Sequence, residues 1–249
     1  MPPEFPPEIL DRITDFLHDT PTALKDLCLV SKSRVPRAQI HIFDHVNFKD
    51  LEDISKWKNV FQHPESSPAA MFTRSLSFHH ITWTTFRDPF VVQSFTNIVQ
   101  LGIWINDTFM STASFRLFPQ IPTIKSLGVG WQSIKLTQLV EFLGLFPLLH
   151  DLHVDGHKTI IDGDASINLS SLTGTLAIGA WGADPIHQLL KPSDHLCFHK
   201  IVWKTGHDHG GLSANDVIEW CSDTLEWIEL GWRKSHVHLP AVTSCSVSD

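Results

Sequence analysis

Seven short segments of alternating apolar residues recur along most of this chain at nearly constant spacing. That regularity limits the fold more than any other feature. The segments are RSLSF, QLGIW, SLGVG, DLHVD, TLAIG, KIVWK and WIELG, and their first apolar residues are Leu76, Leu101, Leu127, Leu152, Leu176, Ile201 and Ile228. The successive intervals are 25, 26, 25, 24, 25 and 27 residues. A unit of this length buries its apolar face only by stacking on its neighbours, so such repeats form extended arrays. Within the segments the apolar residues pair at i and i+2: Leu76/Phe78, Leu101/Ile103, Leu127/Val129, Leu152/Val154, Leu176/Ile178, Ile201/Trp203 and Ile228/Leu230. Period two marks a strand with one buried face. The residues between the pairs are Ser77, Gly102, Gly128, His153, Ala177, Val202 and Glu229. The opposite face is therefore mostly small or polar, and open to solvent or ligand.

Helical or irregular segments lie between the strands. Asp88-Pro89 can start a helix that carries Val91, Phe95, Ile98 and Val99, and Thr137 can cap another with Leu139, Phe142, Leu143 and Phe146. Ser213 and Asp216 have the spacing of a capping box before Val217, Ile218 and Cys221. Strand plus helix at this period resembles a leucine-rich repeat. The resemblance implies an α/β solenoid with a parallel sheet on its concave face and helices on the convex side. Leu101-x-Ile103-x-x-Asn106 fits the family's core, but the equivalent of the asparagine elsewhere is Ile81, Gln132, His157, Trp181, Gly206 or Arg233. The expected solenoid is accordingly irregular. A closed (β/α) barrel is the rival architecture and needs strands buried on both faces. Gly102, Gly128, His153 and Glu229 on the second face oppose it.

The first forty-five residues have a different pattern. In FPPEILDRITDFL, Pro6 and Pro7 suit a helix start and Glu8 complements the helix dipole. Ile9, Leu10, Ile13, Phe16 and Leu17 follow as one apolar stripe. Thr20-Pro21 reads as an N-cap and first helical residue of a second helix with Leu24, Leu27 and Cys28 on its apolar side. Ser31 or Ser33 can cap a third, in which Pro36 is tolerated in the first turn and Val35, Ala38, Gln39 and Ile42 share a side. Three short helices of this kind hold more large apolar side chains than they can hide among themselves. The surplus needs the rest of the chain or a partner.

Phe5-Pro6-Pro7-Glu8-Ile9-Leu10, then Ile13, then Phe16-Leu17, resembles the start of an F-box, and Cys28-Leu29-Val30-Ser31-Lys32-Ser33 resembles its Cys-x-x-Val-Ser-Arg segment. The likeness covers about 40 of the 249 residues, with Phe5 in place of the usual Leu and Arg34 where a Trp is common. It implies a module that docks on the Skp adaptor of a cullin–RING ubiquitin ligase. The residues it assigns to the adaptor-facing surface are Phe5, Pro6, Ile9, Leu10, Ile13, Leu27 and Val30. The whole then reads as a substrate-recognition subunit with no catalytic residues and no cofactor, its solenoid holding a protein substrate. The other reading is a repeat scaffold whose N-terminal helices only cap the solenoid. The expected organisation is an F-box over residues 1–45, a connecting helix and loop over 46–70, repeats over 71–234, and a cap or disordered tail over 235–249. The connecting helix falls on Asp50 to Phe61 and the loop on HPESSPAA, His63 to Ala70.

Composition narrows the partners. Lys plus Arg number 19 against 27 Asp plus Glu, a net charge of −8 with no basic run. Phosphate binding leans on Lys and Arg, so no nucleic acid or anionic membrane partner is expected. No basic region with a long apolar stretch opens the sequence, and no window approaches a spanning helix. The four cysteines (Cys28, Cys197, Cys221, Cys245) lack paired spacing. Reduced thiols in the cytosol or nucleus are the expectation. His207-Asp208-His209, His236-x-His238, His79-His80 and His195-x-x-x-His199 give no zinc-ligand set with a cysteine pair, so no metal site is expected. Among the nine tryptophans, Trp104, Trp131, Trp181 and Trp232 fall just after the alternating pairs. Core packing accounts for at least half of them. At a concave edge, Trp104, Trp131 and Trp232, with Asp151, His153 and Asp155, are the candidate substrate surface.

Overall fold

The computed structural model describes residues 5–61, 67–81, 94–105, 121–160, 162–163, 172–179, 196–204 and 214–231. Helices α1 (Pro7–Phe16), α2 (Pro21–Val30) and α3 (Val35–Ile42) come first, with a 3-10 turn, Lys32–Arg34, before α3. Strand β1 (His45–Phe48), α4 (Leu51–Phe61) and α5 (Ser67–Phe72) follow. Then come β2 (Ser75–Ile81), β3 (Gln100–Ile105), β4 (Ser126–Lys135), α6 (Leu136–Leu143), β5 (Asp151–Ile160), β6 (Thr175–Ile178), β7 (Lys200–Trp203), α7 (Ala214–Trp220) and β8 (Trp227–Leu230).

The eight strands form one sheet in strict chain order, and every adjacent pair is parallel. Register follows the repeat. Val46, Leu76, Leu101, Leu127, Leu152, Leu176, Ile201 and Ile228 stand side by side in one row across all eight strands. Phe48, Phe78, Ile103, Val129, Val154, Ile178, Trp203 and Leu230 form the second. From β1 to β7 both rows are buried. Truncating one of these leucines to alanine in such a core costs about 2–5 kcal/mol. No pairing joins β8 to β1 among the described residues, so the sheet is open and solenoid-like rather than a closed barrel.

A further buried position lies three residues before the first row. It is filled by Thr73, Ile98, Ile124, Leu149 and Phe198. Leu225 stands in register there and is partly buried. The core continues into α6, where Leu136, Leu139, Phe142 and Leu143 are buried. Backbone groups at the strand starts repeat a second device. Arg74 and Ser75 both donate to the carbonyl of Asp44, Val99 and Gln100 to that of Arg74, Lys125 and Ser126 to that of Val99, and His150 and Asp151 to that of Lys125. From β2 to β5 each repeat is thereby tied to the one before it through its backbone. At β6 the pattern changes: Gly174 donates to the carbonyl of His150, while the Thr175 N–H goes to the carboxylate of Asp151 at 2.7 Å.

The structure departs from the sequence reading at three places. An eighth strand, β1, precedes the seven, so the sheet begins at His45 and not at residue 71. Its row residue Val46 precedes Leu76 by 30 residues, outside the period, because α4 and α5 are inserted between them. The C-terminal part of the expected loop at 63–70 is helical, since Ser67–Phe72 forms α5. Thr137 does not cap α6, which starts one residue earlier; its N–H and Oγ1 donate to Asp162 at 3.2 and 2.7 Å. Asp162 therefore supplies the anion for that helix start from just beyond β5. The expected helix start at Asp88-Pro89, Ser213 of the capping box, and the tail at 235–249 lie outside the described residues.

Candidate functional site

Two surfaces emerge, one on the N-terminal helices and one on the outward face of the sheet. On the helices, Pro7 and Pro21 occupy the first helical turns of α1 and α2, as their fixed φ favours. Leu24 of α2 and Ala38 of α3 are fully buried. Thr14, buried in α1, donates from Oγ1 to the Leu10 carbonyl at 2.9 Å, which satisfies its hydroxyl locally.

Polar side chains close the gap between α1 and α3. Arg34 Nη1 donates to Asp11 Oδ1 at 2.7 Å, and the Arg34 side chain is only 13% exposed. Arg37 Nε donates to Asp15 Oδ1 at 2.7 Å, and His41 Nε2 bonds to the same oxygen at 2.8 Å. Hydrogen bonds from Arg37, then from His41, hold the Asp15 carboxyl well below the usual carboxylate range. Arg34 thus links the turn before the third helix to the first helix through charge.

The apolar surplus expected from sequence stays on the outside. Phe5, Ile9, Ile13 and Phe16 are 64, 41, 46 and 85% exposed, and Leu29 and Val30 at the end of α2 are 85 and 80% exposed. Pro6 is exposed as well, while Leu10 and Leu27 are half-buried. Of the seven residues assigned to the adaptor-facing surface, five therefore present side chains to solvent and two lie behind them. Phe16 and Leu29 belong to the same exposed set, yet the motif did not single them out for that surface.

On the outward face of the sheet, Trp104 is the central side chain. Its indole lies across β3 and β4 where Gly102, Gly128 and Gly130 provide no side chains. A Cβ at Gly102 would collide with Cζ3 of Trp104, and one at Gly130 with Cδ1. The His79 ring stacks on the indole with centroids 4.4 Å apart and planes 3° from parallel, and His153 meets it edge-on at 6.5 Å. The glycines between the apolar pairs of β3 and β4, Gly102 and Gly128, thus have a structural cause: with Gly130 they make room for Trp104. Burial pushes the His79 and His153 imidazoles below their ordinary pKa.

A cleft of about 390 Å³ opens beside this stack, with His79, His80, Trp104, Gln132, Asp155 and His157 in its lining. His80 has φ of 52°, in the left-handed region, where the register of β2 against β3 shifts between Phe78 and Ile81. Bulges of this kind re-aim side chains. The sequence-derived substrate residues divide accordingly. Trp104 and Asp155 line the cleft, and His153 flanks it. Trp131 touches the cleft but is buried, packed over Gly156, so it serves the core more than a partner. Asp151 stands elsewhere on the face, holding the β6 backbone. Trp232 lies outside the described residues, as do Trp181, His195, His207, Asp208, His209, His236 and His238.

His79 and His80 entered the sequence reading only as metal candidates, and Gln132 only as a departure from an asparagine. The available signal was that His79 continues the outward alternation of Ser75 and Ser77. Among the described residues no group of three or more His, Cys, Asp or Glu is placed to hold a metal ion. Burial raises the Cys221 thiol to about 11, which leaves it protonated and unreactive at neutral pH. No helix of the described residues is long and apolar enough to cross a membrane. No protein-family model, curated protein or solved structure matches this chain.

Proposed function

We propose that this chain is a substrate-recognition subunit of a Skp–cullin–RING ubiquitin ligase. Helices α1 to α3 would dock on the Skp adaptor as an F-box, and the repeat body would hold a protein substrate. The observation that carries the reading is the exposed apolar set of Phe5, just before α1, with Ile9, Ile13 and Phe16 on α1 and Leu29 and Val30 on α2. Large apolar side chains gathered on one small helical unit mark a protein-binding surface. The order and spacing of the F-box-like residues name the partner. Catalysis would come from proximity alone, by raising the substrate's concentration near the ligase's catalytic subunit. The chain would act in the cytosol or nucleus, where that ligase works.

Co-expression with a Skp adaptor tests this directly. The wild type should co-purify with the adaptor at one-to-one stoichiometry. The double variant Ile9→Asp, Ile13→Asp should not, while retaining its circular dichroism spectrum. A wild type that fails to co-purify, or a double variant that still does, would overturn the reading in favour of a scaffold whose helices only cap the sheet.

A further inference from the structure

Two cysteines away from both surfaces meet where α7 runs onto the sheet. Cys197 lies just before β7 and is half-buried, and Cys221 follows α7 and is buried. They are 24 residues apart in sequence, and both are free thiols. Hydrogen bonds between their segments fix how they sit. The Leu196 N–H donates to the Trp220 carbonyl at 3.2 Å, so the residues just ahead of the two cysteines stand side by side. The Phe198 N–H donates to the Cys221 sulfur, and that nitrogen is separated from Cβ of Cys197 by only three covalent bonds. Thr224 Oγ1 donates to the Phe198 carbonyl at 3.1 Å and holds the same two segments together from the next turn.

Extended backbones joined by such bonds run about 5 Å apart, inside the range of about 4.4–6.8 Å between the Cα atoms of a disulfide. We infer that Cys197 and Cys221 form a reversible disulfide that fastens the end of α7 to the entry of β7 under oxidising conditions. The segments already touch, so closing the bond takes rotation of side chains rather than travel of the backbone. The oxidant is a small-molecule disulfide such as that of glutathione, acting in two exchanges. The Cys197 thiolate attacks one sulfur of the oxidant, whose S–S bond breaks; one thiol leaves, carrying the proton that Cys197 gave up. The Cys221 sulfur then attacks the Cys197 sulfur of the mixed disulfide, and the second thiol leaves with the Cys221 proton. Two protein thiols are oxidised, and one small disulfide is reduced to two thiols. Burial sets the order: Cys221 is held protonated and does not open the exchange, whereas Cys197 is partly open to solvent. Once Cys197 carries the mixed disulfide, proximity makes up for the small thiolate fraction of Cys221. In a reducing compartment the pair rests open, and closure reports oxidation.

The test incubates the reduced full chain with glutathione disulfide at about pH 8, blocks remaining thiols, and maps the peptides without reduction. The peptides holding Cys197 and Cys221 should be joined. The thermal midpoint should rise by about 5 °C and fall back on adding dithiothreitol, because the link constrains the unfolded chain. Cys197→Ser should abolish both the link and the rise. The Cys28→Ser, Cys245→Ser variant should keep both. A chain that stays reduced, a glutathione adduct on Cys197 that never closes, a link to Cys28 or Cys245, or a link without a rise in midpoint would each overturn the inference. The adaptor reading is tested separately, because the Ile9→Asp, Ile13→Asp variant should form the same link.

Discussion

The guanidinium of Arg34 reaches 2.7 Å from the carboxylate of Asp11 and so ties the turn before α3 to the middle of α1. Arg34 is mostly enclosed, while Asp11 is half open to solvent. The bond is therefore partly desolvated and should outperform an exposed ion pair. In urea denaturation, Arg34→Ala and Asp11→Asn should each destabilise the chain. Their double-mutant cycle should show a coupling of about 1 kcal/mol. A coupling near zero would mean that packing alone sets the angle between the helices.

Asp15 makes the acid response of the helical module predictable. Its folded pKa lies below the ordinary 3.8 because Arg37 and His41 bond to the carboxylate. A depressed carboxyl pKa stabilises the folded state fully above the ordinary value, and the stabilisation is lost as pH falls below it. Asp15→Asn should therefore cost stability at pH 7 and lose less than the wild type does on acidification below about pH 4. The side chain is 37% exposed, so solvent screening limits the cost at neutral pH to about 1 kcal/mol. Denaturation midpoints of both proteins across pH 2 to 7 measure the effect.

Gly130 and Trp104 should behave as a coupled pair. A methyl group at position 130 collides with the indole, so Gly130→Ala should destabilise by about 1–3 kcal/mol through overpacking. Trp104→Ala vacates that space. Adding Gly130→Ala to Trp104→Ala should then cost markedly less than adding it to the wild type. Additive costs would show that the glycine is required for its backbone and not for the ring above it.

His80 offers the opposite sign. Glycine populates positive φ without steric cost. His80→Gly should relieve the strain at φ 52° and raise stability by about 0.5–1 kcal/mol, read from the thermal midpoint. A lowered midpoint would show that the contacts of the imidazole outweigh the backbone strain.

Most of the sheet was legible because its two buried rows are periodic in sequence. Leu76 through Ile228 could be found by subtraction, and their pairing in one row follows. Val46 was hidden because the insertion before Leu76 breaks the interval. Thr73 at the position three residues before the row hid the next regularity, since a threonine carries no apolar signal. The candidate cleft was half legible. Trp104 and Asp155 stand at outward positions that alternation assigns. Trp131 was misread as exposed although it continues the inward alternation of Leu127 and Val129, which the strand carries one step beyond the repeated pair. His79 could not be placed over Trp104 from sequence, since the stack depends on side-chain orientation across two strands. Arg34 looked like a departure from a pattern. Only the 23-residue reach to Asp11 shows what it holds.

Because each strand pairs only with its neighbours in the chain, the sheet can lengthen in the order in which the ribosome releases it. Every shorter product would be a completed stack ending in one uncovered strand. Ile228 and Leu230 on β8, the last described strand, show the kind of apolar pair that such a front presents. Translation would then place the helical module first and extend the array behind it. A stall at any repeat would leave the same sticky edge for chaperones to cover.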